Sequence, residues 1–288
     1  LAACPEEKLL KLWEGLGYYS RVRNMQLAAQ ETVEKYNGRL PEDFSLLISL
    51  KGIGSYTAGA IASIAYGIPE PAVDGNVFRV VTRMTEDSED VTKLAFRKKT
   101  ENALREIIPK DRPGDFNQAM MELGAVVCVP NGQPKCGLCP IRSFCQAAIH
   151  GTMEKYPVKA QKKPRVVEER TVLVIQDGNC TAIRKRPSKG LLAGLYELPN
   201  TEGYLDRETA LEYVRKLGAE PLYIEALPDA KHIFSHIEWR MKAYLIRVSS
   251  FEQAHDPGIL FADKKESERN YAIPSAFGAY VKYMKEEI

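Results

Sequence analysis

The chain has 288 residues, of which 40 are basic and 38 acidic, for a formal charge of +2. With 44% hydrophobic residues it can build more than one buried core, and its length suggests two domains. No apolar run approaches the ~20 residues of a membrane span, and the leading LAACPEEKLLKLWEGLGYYS lacks the basic start and long apolar stretch of a secretory signal.

The opening residues read as the end of a loop entering a helix, with no initiator methionine, so the sequence is expected to be the downstream part of a longer protein. From there apolar residues recur at helical spacing in LLKLWEGL, LAAQETVEKY, FSLLISL, GAIASIAYG, VFRVVTRM, ALREII and FNQAMMELGAVV. Between two of these helices lies Leu50-Lys51-Gly52-Ile53-Gly54-Ser55-Tyr56-Thr57-Ala58. Two glycines one residue apart allow a sharp turn with outward-facing amides, and the next helix start adds to an anion cradle suited to one phosphate. Gly-x-Gly between helices is also an ordinary connector.

Asp74 follows in Pro71-Ala72-Val73-Asp74-Gly75-Asn76-Val77, between an apolar run and a helix start. By itself such an aspartate is more often an N-cap than a catalyst. Further on, Cys128, Cys136, Cys139 and Cys145 form C-x7-C-x2-C-x5-C. Four thiols this close suit either a tetrahedral zinc or an iron–sulfur cubane. Zinc sites commonly pair two tight knuckles, and the single C-x-x-C with longer arms leans toward iron. Cys4 and Cys180 read as small buried side chains.

Residues 151–170, GTMEKYPVKAQKKPRVVEER, carry six basic and three acidic groups, whereas the flanking segments are nearly neutral. This reads as an extended, partly ordered interdomain linker, its Lys159, Lys162 and Lys163 either approaching a nucleic-acid backbone or simply solvated. Beyond it the pattern turns to strands. TVLVIQ, an Asp177-Gly178-Asn179 turn and CTAIRKR make a hairpin, and EPLYIEAL and KHIFSHIEWRMKAYLIRV continue it.

Together, LKGIGSYTAGAIASIAYGIPEPAVDGNVFRV and the four-cysteine loop resemble the helix-hairpin-helix DNA glycosylases, and the MutY-type adenine glycosylases in particular. The resemblance covers essentially the whole chain. It implies an all-helical glycosylase domain with a four-cysteine iron–sulfur loop (1–150), the linker, and a Nudix-like α/β domain at 171–288. It implies excision of adenine opposite 8-oxoguanine or guanine in double-stranded DNA, by a monomer with no membrane association, at the nucleoid of a bacterial cytoplasm. Asp74 would stabilise the sugar cation that forms as the base departs, with Asn76 and Tyr56 in the same catalytic group. Gly52, Ile53 and Gly54 would bind phosphate, and Leu16 and Tyr18 would wedge the duplex while the target base is flipped out. Cys128, Cys136, Cys139 and Cys145 would hold a [4Fe–4S] cluster, with Lys135 and Arg142 near DNA.

One discriminating residue and two departures from the family pattern sharpen these expectations. Tyr56 stands where strand-nicking relatives carry a Schiff-base lysine, which implies a monofunctional enzyme and argues against an endonuclease III-like glycosylase-lyase. The glutamate that protonates the leaving base belongs to a segment upstream of Leu1. A chain without it would lose about 10²–10⁴-fold in rate and could act as a lesion-binding fragment without turnover. The first cysteine spacing is one residue longer than usual, which Asn131-Gly132 could absorb.

The last domain resembles the Nudix fold from GLLAGLYELP onward, but Arg215 and Lys216 replace the glutamate pair that binds Mg²⁺ in hydrolytic members, so a recognition module is expected. Phe234-Ser235-His236 matches the loop that inspects the base opposite adenine. 8-Oxoguanine offers an O8 acceptor and an N7–H donor, which a hydroxyl and nearby amides can read. Trp13 and Trp239 read as core or interface residues.

Overall fold

The computed structural model describes residues 1–160, 164–251 and 258–284; Lys162 and Lys163 lie outside the described residues. The chain parts into two units, residues 1–2 with 24–162 and residues 3–23 with 163–288.

The first unit is helical. After most of α2 (Ser20–Tyr36) come α3 (Phe44–Ser49), α4 (Ser55–Tyr66), α5 (Gly75–Thr85), α6 (Leu94–Ile107), α7 (Pro113–Glu122) and α8 (Gln146–His150). Local signals account for their ends. Asp43 caps α3 by accepting from Leu46 N at 2.9 Å, Gly67 ends α4 in left-handed backbone, and Pro113 opens α7. The apolar stripes of α5 and α6 close on one another: Val77, Phe78, Phe96 and Leu104 are buried with Val73 and Val91. Each such side chain contributes roughly 1.5–3 kcal/mol relative to exposure. After Glu122 the helix widens into one π turn, Leu123–Val127, which delivers Cys128. The segment read as linker is partly helical-unit structure, because Val91 N donates to Val158 O and Arg83 Nε to Tyr156 O.

The second unit is a seven-stranded sheet with helices on both faces. Its elements are β1 (Val166–Asp177), β2 (Cys180–Lys185), β3 (Tyr196–Glu197), β4 (Asn200–Glu202), α9 (Arg207–Lys216), β5 (Ala219–Ile233), β6 (Ile237–Phe251), β7 (Ile259–Ala262), α10 (Lys264–Asn270) and α11 (Gly278–Val281). Strand order is β3-β2-β1-β6-β5, with β4 on β1 and β7 on β2. The Gly178-Asn179 turn joins β1 and β2 as the sequence suggests, and β1 runs parallel to β6. A central strand covered on both faces explains the unbroken apolar run TVLVI. Val172 and Val174 face Trp239 and Phe277, while Leu173 and Ile175 face Ala210 and Val214 of α9. Strand β1 also begins inside the stretch read as linker.

The front of the chain corrects one expectation, and its packing partners lie in the sheet unit. LLKLWEGL was expected to be helical throughout, but α1 spans Glu6–Leu12 and the chain then turns through Gly15 and Gly17, both with positive φ. Residues 3–23, expected in the helical domain, group with the sheet unit. Leu9, Leu10, Tyr19 and Val22 are buried against Leu195 and Ala272, and Lys11 Nζ donates to Ser267 O and Tyr271 O. Cys4 and Cys180 are half-buried rather than buried.

Candidate active site and DNA-reading surfaces

Asp74 sits at the N-cap of α5, and its carboxylate is fully engaged there. Its Oδ1 accepts from the backbone amides of Asn76 and Val77, both at 2.8 Å, and Oδ2 accepts from Asn76 Nδ2 at 2.9 Å. Three donors fix its orientation at the positive end of a helix, where the side chain is half-buried. The capping role and a catalytic one are therefore compatible. The segment leading to it is fixed by packing. A side chain at Gly59 would lie 2.1 Å from Pro71 O, so α4 presses directly on that backbone. Asn117, 2% exposed, accepts from Ala72 N at 3.0 Å and donates to Ser63 Oγ and Glu70 O.

Asn76 extends the network. Its Oδ1 accepts from Arg79 Nη2 at 2.8 Å, and Arg79 also donates to Gly124 O and Cys128 O, each at 2.7 Å. Burial pulls the Arg79 guanidinium below its ordinary value, opposed by the Cys128 and Asp74 charges. The next buried arginine on the same helix, Arg83, donates to Cys128 Sγ at 3.2 Å and to Val129 O at 3.0 Å. Sequence reading passed over Asn117, Arg79 and Arg83; charged side chains on the apolar face of an amphipathic helix were the available signal.

All four clustered cysteines line one small apolar cavity together with Val80 and Ile141. Burial pushes the Cys139 thiol up, and the other three add to that. The extra residue in the first spacing sits in a loop where Gly132 has positive φ and Lys135 N returns to Val127 O at 2.9 Å. Among the described residues, no three Cys, His, Asp or Glu side chains group closely enough to hold a single ion.

At the glycine turn, only Gly52 needs to be glycine for conformation. Its φ is +78°, and a Cβ there would lie 2.3 Å from Asn24 Cβ. Gly54 has extended backbone and open space around it. The Ile53 amide, expected to face outward, donates to Leu50 O at 3.1 Å inside the turn. Helix α4 makes its first bond from Ala58 N to Gly54 O, which leaves the amides of Ser55, Tyr56 and Thr57 at an N-terminus with no side-chain cap. Tyr56 is exposed, its hydroxyl 3.5 Å from Met121 Sδ.

In the sheet unit, Leu16 and Tyr18 are exposed, Tyr19 is buried, and Tyr18 lies under the Arg21 guanidinium. Leu16 and Tyr18 share a cavity of about 520 Å³ with Phe234, Ser235 and His236, more than 200 positions away in sequence. Gly190–Ala193 supply another wall, which sequence reading did not assign. Phe234 is braced edge-on by wholly buried Trp239 at 5.0 Å, and Trp13 is partly buried, its Nε1 bonded to Gly17 O. Arg215 and Lys216 end α9. No helix among the described residues is long and apolar enough to cross a membrane.

Residues 1–110 match the model of the HhH-GPD superfamily of base excision DNA repair proteins, and residues 171–283 match the NUDIX domain. Helical glycosylase fold and Nudix-like sheet are thus joined in one chain. Adenine DNA glycosylase of Buchnera aphidicola subsp. Acyrthosiphon pisum is 34% identical over 84% of this chain and 68% of its own length. The mouse and human adenine DNA glycosylases are 34% and 33% identical over 85% of this chain. The chain belongs to the adenine DNA glycosylase family. It spans 57% of the mouse relative's length and 54% of the human one's.

Proposed function

We propose that this chain takes part in base excision repair by hydrolysing the N-glycosidic bond of adenine mispaired with 8-oxoguanine or guanine in duplex DNA. The observation that carries this is the Asp74 carboxylate, held in one orientation by three donors in a half-buried helix N-cap. As the bond to adenine lengthens, positive charge grows on the deoxyribose, and a preoriented carboxylate lowers that barrier by electrostatics or by transient capture of the sugar. Asn76 holds the carboxylate's orientation. The turn at Gly52–Gly54 and the open amides that follow suit one DNA phosphate, with Ile53 serving the turn itself. Tyr56 cannot form an imine, so we assign a monofunctional reaction that leaves an abasic site.

Leu16 and Tyr18 are assigned to the duplex wedge, and Ser235 and its neighbours Phe234 and His236 to reading the base opposite adenine. Residues 1–150 then serve as the excision domain, a reading supported by the family match over residues 1–110, and 171–288 as the lesion-recognition domain.

Cys128, Cys136, Cys139 and Cys145 are assigned to a [4Fe–4S] cluster. Four thiols lining one shared apolar pocket, with a single C-x-x-C and longer arms on both sides, support this reading. When bound, the cluster would supply cross-linking of the loop that carries Lys135 and Arg142. Iron and sulfide analysis tests this; a colourless zinc protein would overturn it.

The test of the reaction is a single-turnover assay with protein in excess over a duplex carrying adenine opposite 8-oxoguanine. Adenine release that vanishes in Asp74→Asn, while duplex binding persists, is the expected result. Equal release by both, or release of a pyrimidine, would refute it.

A further inference from the structure

The tip of the turn between β5 and β6 is held from outside its own hairpin. Phe234 N donates to Ile237 O at 2.8 Å, leaving Ser235 and His236 exposed at the apex. The carbonyls on either side of Ser235 are both taken by the segment entering β1. Arg165 Nε donates to Phe234 O at 3.1 Å, and Val166 N donates to His236 O at 3.0 Å. The parallel register that pairs Val166 with Ile237 is what brings this segment to the apex; an antiparallel β1 would present its other end there.

The consequence lies in the peptide plane. Phe234 C=O and Ser235 N–H belong to one planar trans amide and point in opposite directions. Fixing the carbonyl toward Arg165 therefore fixes the amide proton away from it. Trp239 and His232, edge-on to Phe234 at 5.0 and 4.6 Å, hold the ring side of the same residue. Among the described residues the donor to this amide's carbonyl is the Arg165 guanidinium, and a charge-assisted bond to a carbonyl is stronger than a neutral one.

We propose that Arg165 is a positioning residue that determines lesion specificity, by orienting the Ser235 amide and hydroxyl toward the oxidised base. This rests on the reading of the turn as the lesion reader. Arg165 lies in the stretch that reads from sequence as a basic interdomain linker; its neighbour in space, not its charge, defines the role.

The test measures affinity for two duplexes, adenine opposite 8-oxoguanine and adenine opposite guanine, with Asp74→Asn present throughout so that the base stays in place. Arg165→Ala is expected to cut the preference for 8-oxoguanine by about tenfold, the scale of one lost base-edge contact. Arg165→Lys, which keeps a donor, should recover most of it, and the salt dependence of binding should not change. Equal weakening on both duplexes with a shallower salt slope would mark a phosphate contact and overturn the proposal. So would unchanged affinities. If Arg165→Ala unfolds, Arg165→Gln and Arg165→Lys give the same comparison. A parent chain without any preference would instead overturn the reading of the turn, and this inference with it.

Discussion

Asn76 holds Asp74 twice: its backbone amide donates to Oδ1 at 2.8 Å and its side-chain amide to Oδ2 at 2.9 Å. The first bond belongs to the helix cap and survives any side-chain change. The second exists only because residue 76 is an asparagine. Asn76→Ala should therefore leave α5 capped while freeing one oxygen of the carboxylate. Adenine release should slow about tenfold to a hundredfold, the scale of one hydrogen bond to a charged group, with duplex affinity within about twofold of the parent. Single-turnover rates set against binding isotherms check the split; a loss confined to affinity would contradict the assignment.

Asn117 is the support beneath that site. Truncation to alanine removes the partner of Ala72 N and the donor to Glu70 O, and leaves Ser63 Oγ with its bond to Ala60 O. The expected loss of stability is ~2–4 kcal/mol, read from denaturant unfolding. A loss under about 0.5 kcal/mol, the range of an idle surface change, would show that the segment before Asp74 is held by something else.

The two glycines of the α3–α4 turn should behave differently. Gly52→Ala meets both a positive φ and the Asn24 side chain, and should cost ~1–3 kcal/mol of stability. Gly54→Ala has ordinary backbone and free space, and should leave stability within about 0.5 kcal/mol. Its added methyl stands at the start of the uncapped helix, so duplex affinity should fall although the fold does not. Paired unfolding and binding curves distinguish the two positions.

Acid should weaken the sheet unit before carboxylates titrate. Burial holds the His232 imidazole below its ordinary value of 6.5. As pH falls through 6.5 the unfolded chain takes up that proton and the folded chain does not, so native stability drops there and is unaffected above. His232→Gln should flatten stability between roughly pH 6.5 and 5.5, the lower part of the imidazole range, in denaturant melts followed by tryptophan fluorescence. An unchanged slope would remove His232 as the cause.

Much of the helical and strand content was readable because it rests on local physics. The cap at Asp43, the stop at Gly67, Pro113 at a helix start and the Gly178-Asn179 turn are each decided by a residue's own backbone preferences or nearest hydrogen bond. The four cysteines were readable by spacing alone. Ile53 was misjudged for the same local reason: its amide closes its own turn, a detail of φ and ψ that residue types do not specify.

What the sequence by itself determined was therefore the inventory: the helices and strands, the glycine turn, Asp74, the thiol cluster and the Phe234-Ser235-His236 apex. Only the tertiary structure decided the companions. Apolar spacing in LLKLWEGL says that one face is buried but not against what, and residues 3–23 went to the sheet unit. Hydrogen bonds such as Asn117 to Ala72, Arg79 to Cys128 and Arg165 to Phe234 join residues 45 to 69 positions apart. Periodicity carries information over a few turns of helix, whereas those bonds depend on where whole elements pack, which no local preference encodes.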